Sequence, residues 1–134
     1  MIIYEEEGGY KKKINSFQDL LVWKEAHQFV IQIYPISGSF PSSEKYGLTD
    51  QLRRAAVSIP ANIAEGMGRS SKKELIQYLY IARGSLQECQ YYLILALDLK
   101  YISSESYNHL KTQLDTLGRM MNGFIKSLKA PTTP

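Results

Sequence analysis

Apolar residues recur along most of the chain at steps of three and four, the spacing that puts them on one side of an α-helix. From position 16 to 34 one stripe reads Val22, Ala26, Phe29, Ile33 and a second reads Leu20, Trp23, Val30, Tyr34. Ser16-x-x-Asp19 resembles a capping box with a short acid, so the first helix is expected to begin at Ser16. Pro35 has no N–H and clashes with the preceding turn; it should kink or end that helix, and Ser37 to Ser43 reads as a turn. A second helix, from about Glu44 or Leu48 to Ala64, carries Leu48, Leu52, Ala55, Ile59, Ile63. Pro60 lies inside it and should bend it, with the small Ala56 leaving room for the ring. Gly66 and Gly68 then supply a stop, because glycine adopts a left-handed turn at little cost.

The third helix opens on the capping box Ser71-x-x-Glu74 and carries Leu75, Leu79, Ala82, Leu86, Cys89, Leu93, Ala96, a heptad seam. Gly84 lies within it; a mid-helix glycine costs about 1 kcal/mol against alanine and suits a close backbone approach. The fourth helix starts near Ser103 or Ser104 and carries Tyr107, Leu110, Leu114, Leu117, Met121, Phe124, Leu128. Short connections make neighbouring helices antiparallel. The expected fold is therefore all-α: an antiparallel, up-down-up-down four-helix bundle over residues 16–129, with no strand-like alternation of any length. Residues 1–15 hold Glu5-Glu6-Glu7, two glycines and Lys11-Lys12-Lys13, without an apolar period, and read as a flexible or extended arm. Residues 130–134, Ala-Pro-Thr-Thr-Pro, read as a tail that cannot continue a helix.

From Tyr91 to Leu97 the third helix is apolar all the way round, more than one buried stripe requires, so its outer side also needs cover. Tyr78, Tyr80, Tyr91, Tyr92, Ile94 and Tyr101 are the candidates for an oligomer interface, since tyrosine suits a surface with one wet edge. The alternative is that these tyrosines shield the helix within one chain. Periodicity carries no stoichiometry.

The 134 residues are one domain's worth, and 44% hydrophobic with 22% charged residues is globular composition. The longest apolar run is seven residues, too short for a bilayer, and the first residues carry no signal-peptide pattern; no membrane partner and a cytoplasmic location are the expectation. A net charge of +3 and a pI near 8.9 allow a nucleic-acid partner without demanding one. Cys89 is the only cysteine, and His27 and His109 are isolated, so neither an internal disulfide nor a metal site or cofactor is expected.

Glu65 to Lys73 places Arg69, Lys72 and Lys73 at the start of the third helix, where N–H groups favour anions. A capped turn with solvated lysines explains the same residues. The segment is not a P-loop, which needs a preceding strand and a different spacing. Arg54, Ser58, Asn62 and Glu65 follow one face of the second helix. They read as a structural polar network across helices, with Arg54 or Arg53 reaching Glu88. No histidine lies near Ser58 to act as its base, and Cys89 sits on the core seam, so no catalytic residue is assigned and an enzyme is not expected.

The string Gln51-Leu52-Arg53-Arg54-Ala55-Ala56-Val57-Ser58-Ile59-Pro60-Ala61-Asn62-Ile63-Ala64-Glu65-Gly66 resembles the signature of the four-helix bundle proteins encoded in intervening sequences of 23S rRNA genes. Phe17 to Lys24, Gly68-Arg69-Ser70 and Ile81 to Glu88 resemble its flanking motifs, so the likeness covers about residues 16–128. The resemblance implies a bundle assembling as a homopentameric ring. It also points to the accessory protein of diversity-generating retroelements, which partners a reverse transcriptase and binds nucleic acid through a basic surface. It supplies no catalytic residues to carry over, and Pro35 and the charged N-terminal segment are less typical of it.

Two functions follow as expectations. One is a nucleic-acid-binding accessory protein, contacting the phosphates of RNA or DNA through Arg69, Lys72 and Lys73 with Arg53 and Lys24 behind them. The other is a scaffold that assembles and binds a protein. Basic side chains clustered on one face favour the first; cations scattered among acids such as Glu74 favour the second.

Overall fold

The computed structural model describes residues 1–131. Four helices carry most of the chain: α1 (Leu21–Gly38), α2 (Leu48–Met67), α3 (Lys72–Asp98) and α4 (Ser104–Lys129). Single helical turns at Phe17–Asp19 and Ser42–Glu44 precede α1 and α2. The buried side chains are those the three-four spacing selects, among them Phe29 and Ile33 of α1, Leu52 and Ile59 of α2, Leu79 and Leu93 of α3, and Leu114 and Leu117 of α4.

Neighbouring helices run in opposite directions. Ser58 of α2 meets Ser85 of α3 while Gln51 meets Tyr92. Arg83 of α3 meets Asn122 of α4 while Tyr80 meets Lys129. Gln32 near the end of α1 meets His109 near the start of α4. The hairpin described below, the start of α1, the end of α2, the start of α3 and the end of α4 thus share one end of the bundle.

The expected N-terminal arm is instead a β-hairpin, and the fold is not purely helical. Strands β1 (Ile3–Glu7) and β2 (Tyr10–Ile14) pair antiparallel around Gly8-Gly9. Both glycines have positive φ, +58° and +84°, which a two-residue hairpin turn of this kind demands and a side chain resists. The two-residue turn fixes the register and the charges suit it: Glu5 lies opposite Lys12 and Glu6 opposite Lys11, where like charges would destabilise the sheet. Ile3 lies opposite Ile14, and both are buried, anchoring the hairpin to the bundle.

The hairpin also starts α1. The Ser16–Asp19 capping box closes only the short turn at Phe17–Asp19, and the chain then extends through the buried Leu20, so α1 begins at Leu21 rather than Ser16. Leu20 offers α1 no capping side chain. The carboxylate of Glu5 accepts from the N–H of Leu21 at 2.7 Å and of Val22 at 3.3 Å instead. A negative group there also suits the positive end of the helix dipole.

Neither proline ends its helix. Pro35 and Ile31, whose carbonyl loses its usual donor, both sit on the exposed side of α1, where water can take the bond. The last turn is held by Ser37 Oγ, which donates to the carbonyl of Ile33 at 2.6 Å. Pro60 is buried within α2 beside the fully buried Ala56. Gly66 does not act through a left-handed turn. It lies inside α2, and a Cβ built there would meet Leu75 Cδ1 at 2.8 Å and Tyr78 Cβ at 2.9 Å. Gly68 caps α2 with ordinary right-handed geometry.

Two substitutions test this account of the fold. Glu5→Ala removes the cap of α1 and should cost about 0.5–2 kcal/mol in urea unfolding. Gly66→Ala forces α2 and α3 apart and should cost about 1–3 kcal/mol on the same measurement.

Candidate nucleic-acid interface

Lys72 is the first residue of α3, and Ser71 Oγ caps the helix by accepting from the Glu74 N–H at 3.2 Å. The Glu74 carboxylate takes the hydroxyls of Ser70 and Ser71 rather than a backbone N–H, so the expected capping box is only half made. Lys72 lines a cleft of about 350 Å³ with Tyr4, Glu6 and Lys11 of the hairpin and Ser127 and Leu128 of α4. Lys73 and Lys24 are exposed. The structure therefore brings Lys24, Arg69, Lys72 and Lys73 to one end of the bundle and adds Lys11, which a free N-terminal arm would not hold there.

Two expected phosphate contacts are otherwise occupied. Arg53 donates from Nε to Ser37 Oγ at 2.8 Å and from Nη2 to the Tyr34 carbonyl at 3.0 Å, and its guanidinium lies over the Tyr34 ring. It fastens the end of α1 to α2, towards the far end from Lys72. Arg69 pairs with Glu65 at 2.8 Å, hydrogen-bonds the Tyr78 hydroxyl and stacks over that ring.

The polar network is smaller than expected. Asn62 Nδ2 donates to the Ser58 carbonyl at 2.8 Å and to Ser58 Oγ at 2.9 Å, and Ser85 Oγ donates to Ser58 Oγ at 2.8 Å. Ser85, buried on α3, was not expected there; its position three residues after Ala82 and one before Leu86 was the available signal. Arg54 is not a member: it pairs with Asp50 at 3.0 Å on an exposed turn. Glu65 is taken by Arg69, and Glu88 accepts a long hydrogen bond from Tyr92 at 3.5 Å, so neither joins the network.

The candidate interface residues also divide. Tyr101 donates to Glu44 at 2.9 Å and packs against Phe40, and that hydrogen bond, with burial behind it, raises its hydroxyl pKa. Tyr78 lies under Arg69, Tyr80 between Arg83 and Lys129, and Tyr92 reaches Gln51. Tyr91 and Ile94 remain open, 58% and 44% exposed, and Ile81 joins them at 52%. A Cβ on Gly84, beside them, would meet nothing within 4 Å, so no backbone of this chain approaches it.

Groups that could do chemistry are held in other roles. Burial, reinforced by Glu88, pushes the Cys89 thiol up to about 12. His27 stacks on Trp23 with ring centroids 4.9 Å apart, and His109 contacts Gln32. Among the described residues no three His, Cys, Asp or Glu side chains group to hold a metal ion, and no helix is long and apolar enough to cross a membrane.

These features define a small four-helix bundle with a capping hairpin and an end where exposed lysines stand among carboxylates. Residues 18–123 match the 23S rRNA-intervening sequence protein family, and the chain belongs to that family. A crystal structure from Bacteroides thetaiotaomicron, described as a protein of unknown function from the S23 ribosomal protein family, is similar with a TM-score of 0.74 and 25% identity; the match covers 79% of this chain and 96% of that one. No curated protein matches. The hairpin lies outside the residues that match the family.

With a thiol pKa near 12, Cys89 holds almost no thiolate at pH 8, since about four units separate the two values. A disulfide reagent such as Ellman's should leave the native protein unlabelled and titrate one thiol once it is unfolded in urea.

Proposed function

We propose that this protein is a non-enzymatic, self-assembling bundle that binds nucleic acid through its phosphates in the cytoplasm. The observation that carries the reading is the state of the cations. Among the described residues, only Arg54, Arg69 and Lys111 of the sixteen Lys and Arg residues form ion pairs with carboxylates. Ion pairing within one chain would have been an easy use for them, since thirteen Asp and Glu are present. The other thirteen cations stand against ten carboxylates outside ion pairs, a positive surplus that attracts a polyanion and releases its counterions on binding.

Self-association is supported by the uncovered apolar side chains of α3, Ile81 and Tyr91, and by Gly84 open beside them. The pentameric ring implied by the family resemblance would repeat the +3 charge of the chain around one axis. A reverse transcriptase partner rests on the same resemblance alone. A non-enzymatic role is supported by the occupation of Ser58, Cys89 and both histidines. A second reading, a protein-binding scaffold, is favoured by one observation: at the α3 start, Arg69 is neutralised by Glu65, and the Glu74 carboxylate sits on Ser70 and Ser71 next to Lys72 and Lys73 in the chain.

The test is binding of the purified protein to labelled structured RNA and duplex DNA across a salt series. Affinity should fall steeply with salt. Lys72→Ala/Lys73→Ala should weaken it and reduce the slope of log K against log salt by about 0.7–0.9 for each phosphate no longer neutralised. Arg69 is left in place because its removal would also release Tyr78. Absence of binding at low salt would leave the scaffold reading.

A further inference from the structure

We infer that the groove between α3 and α4 is a track for a single strand of nucleic acid, with Arg83 and Arg119 as its central phosphate contacts. The inference rests on the nucleic-acid reading above and assigns it a different site from the α3 start.

The groove begins beside Tyr107 and Lys111 and continues past Gln90 and Leu114, residues shared by its two adjoining sections. The larger section holds about 500 Å³ and is open along its length. Its floor is Leu86, Leu114 and Gly118, and its walls carry Arg83, Asp115, Arg119 and Asn122 with Gln87 and Gln90. At the hairpin end it reaches the Tyr80 ring, which has Arg83 at 4.8 Å and Lys129 at 5.1 Å.

Charge is segregated here. On α4 the positions 111, 115, 119, 122, 126 and 129 follow one another at steps of four and three and so form one row on the helix. They are Lys111, Asp115, Arg119, Asn122, Lys126 and Lys129, and Arg83 joins them from α3. Five cations therefore share this row and groove with one carboxylate, while the whole chain has a surplus of only three positive charges. Asp115 is already paired with Lys111 at 3.0 Å. Arg83 donates to the Asn122 amide at 3.1 Å and Arg119 to the Thr116 hydroxyl at 3.3 Å, contacts that aim the guanidinium groups and leave their charge standing.

The arrangement suits one strand rather than two. A duplex sets two rows of phosphate across grooves about 6 and 12 Å wide, whereas a row of cations along one helix follows the phosphates of one strand. This row is single and runs about 27 Å from Lys111 to Lys129 at 1.5 Å per residue. An octamer is long enough to cover that length, within the range of about 4–16 nucleotides that single-strand sites occupy. Gln87, Gln90 and Asn122 supply donors and acceptors for unpaired base edges without choosing one base. Gly118 leaves the floor without a side chain there; a Cβ would meet only Leu86, at 3.9 Å.

The experiment compares a labelled eight-nucleotide uridine RNA with a sixteen-base-pair duplex on the native protein and on the Arg83→Gln/Arg119→Gln variant, with polyglutamate as competitor. Circular dichroism and unfolding curves confirm that the variant, altered only at exposed positions, is folded. The native protein should prefer the single strand, and the variant should bind it at least tenfold more weakly with a salt slope shallower by about 1.4, two single-strand phosphates at 0.7 each. A folded variant that binds the octamer as the native protein does overturns this site while leaving nucleic-acid binding intact. Equal affinity for the duplex overturns the single-strand assignment. Displacement of the octamer by polyglutamate as readily as by unlabelled octamer shows a surface for any polyanion, acidic proteins included, and also overturns it. If neither nucleic acid binds at low salt, the reading under Proposed function falls together with this one.

Discussion

Gly66 lets α2 and α3 approach until no room for a Cβ is left between them, and much of the molecule follows from that closeness. Leu75 and Tyr78 fill the space a side chain would have taken. Further along, the helices are near enough for Ser85 and Ser58 to share a hydrogen bond, which satisfies polar groups that would be costly to bury alone. Among the described residues these two helices lie close along more of their length than any other helix pair. With one side of α3 committed to α2 and its heptad seam committed to the core, two sides remain. One forms the groove with α4, and the other presents Ile81 and Tyr91 to solvent.

The helical part of this fold was legible because its signal is redundant. Every seam residue of α3 from Leu75 to Ala96 is buried, as the repeated three-four spacing requires. The hairpin was not legible because its strands carry no apolar alternation. Gly8-Gly9 is a recognised two-residue turn, but the strands around it are Glu on one side and Lys on the other, and their pairing energy lies between the strands rather than along either one. The start of α1 was misplaced for a related reason: its cap, Glu5, comes from sixteen residues upstream. Pro35 failed to end α1 because the cost of a missing N–H depends on whether the orphaned carbonyl faces water, and sequence alone does not say which side that is.

Of the candidate site, the α3 start was legible as a set of cations near one another, but their partners were not. Arg53, Arg54 and Arg69 look equivalent in sequence. In the fold Arg53 fastens α1 to α2, Arg54 pairs with Asp50 on the surface and Arg69 braces Tyr78. The basic row of α4 is scattered from Lys111 to Lys129 at helical spacing, so it does not read as a charge run and becomes a surface only when the helix forms. Electrostatics therefore separates two kinds of arginine here: those fixed to carboxylates or carbonyls and those aimed outward by neutral amides and hydroxyls.

The groups suited to chemistry are occupied by structural contacts, while Ile81 and Tyr91 of α3 stay exposed and, among the described residues, Arg119, Lys126 and Lys129 of α4 have no carboxylate partner. Together these facts fit assembly on one side of α3 and strand binding on the other. Native mass spectrometry of the protein mixed with a short uridine oligonucleotide tests both at once. The expected result is a homo-oligomer whose copies carry bound strands. A monomer with no strand bound, at low ionic strength and micromolar protein, would contradict it.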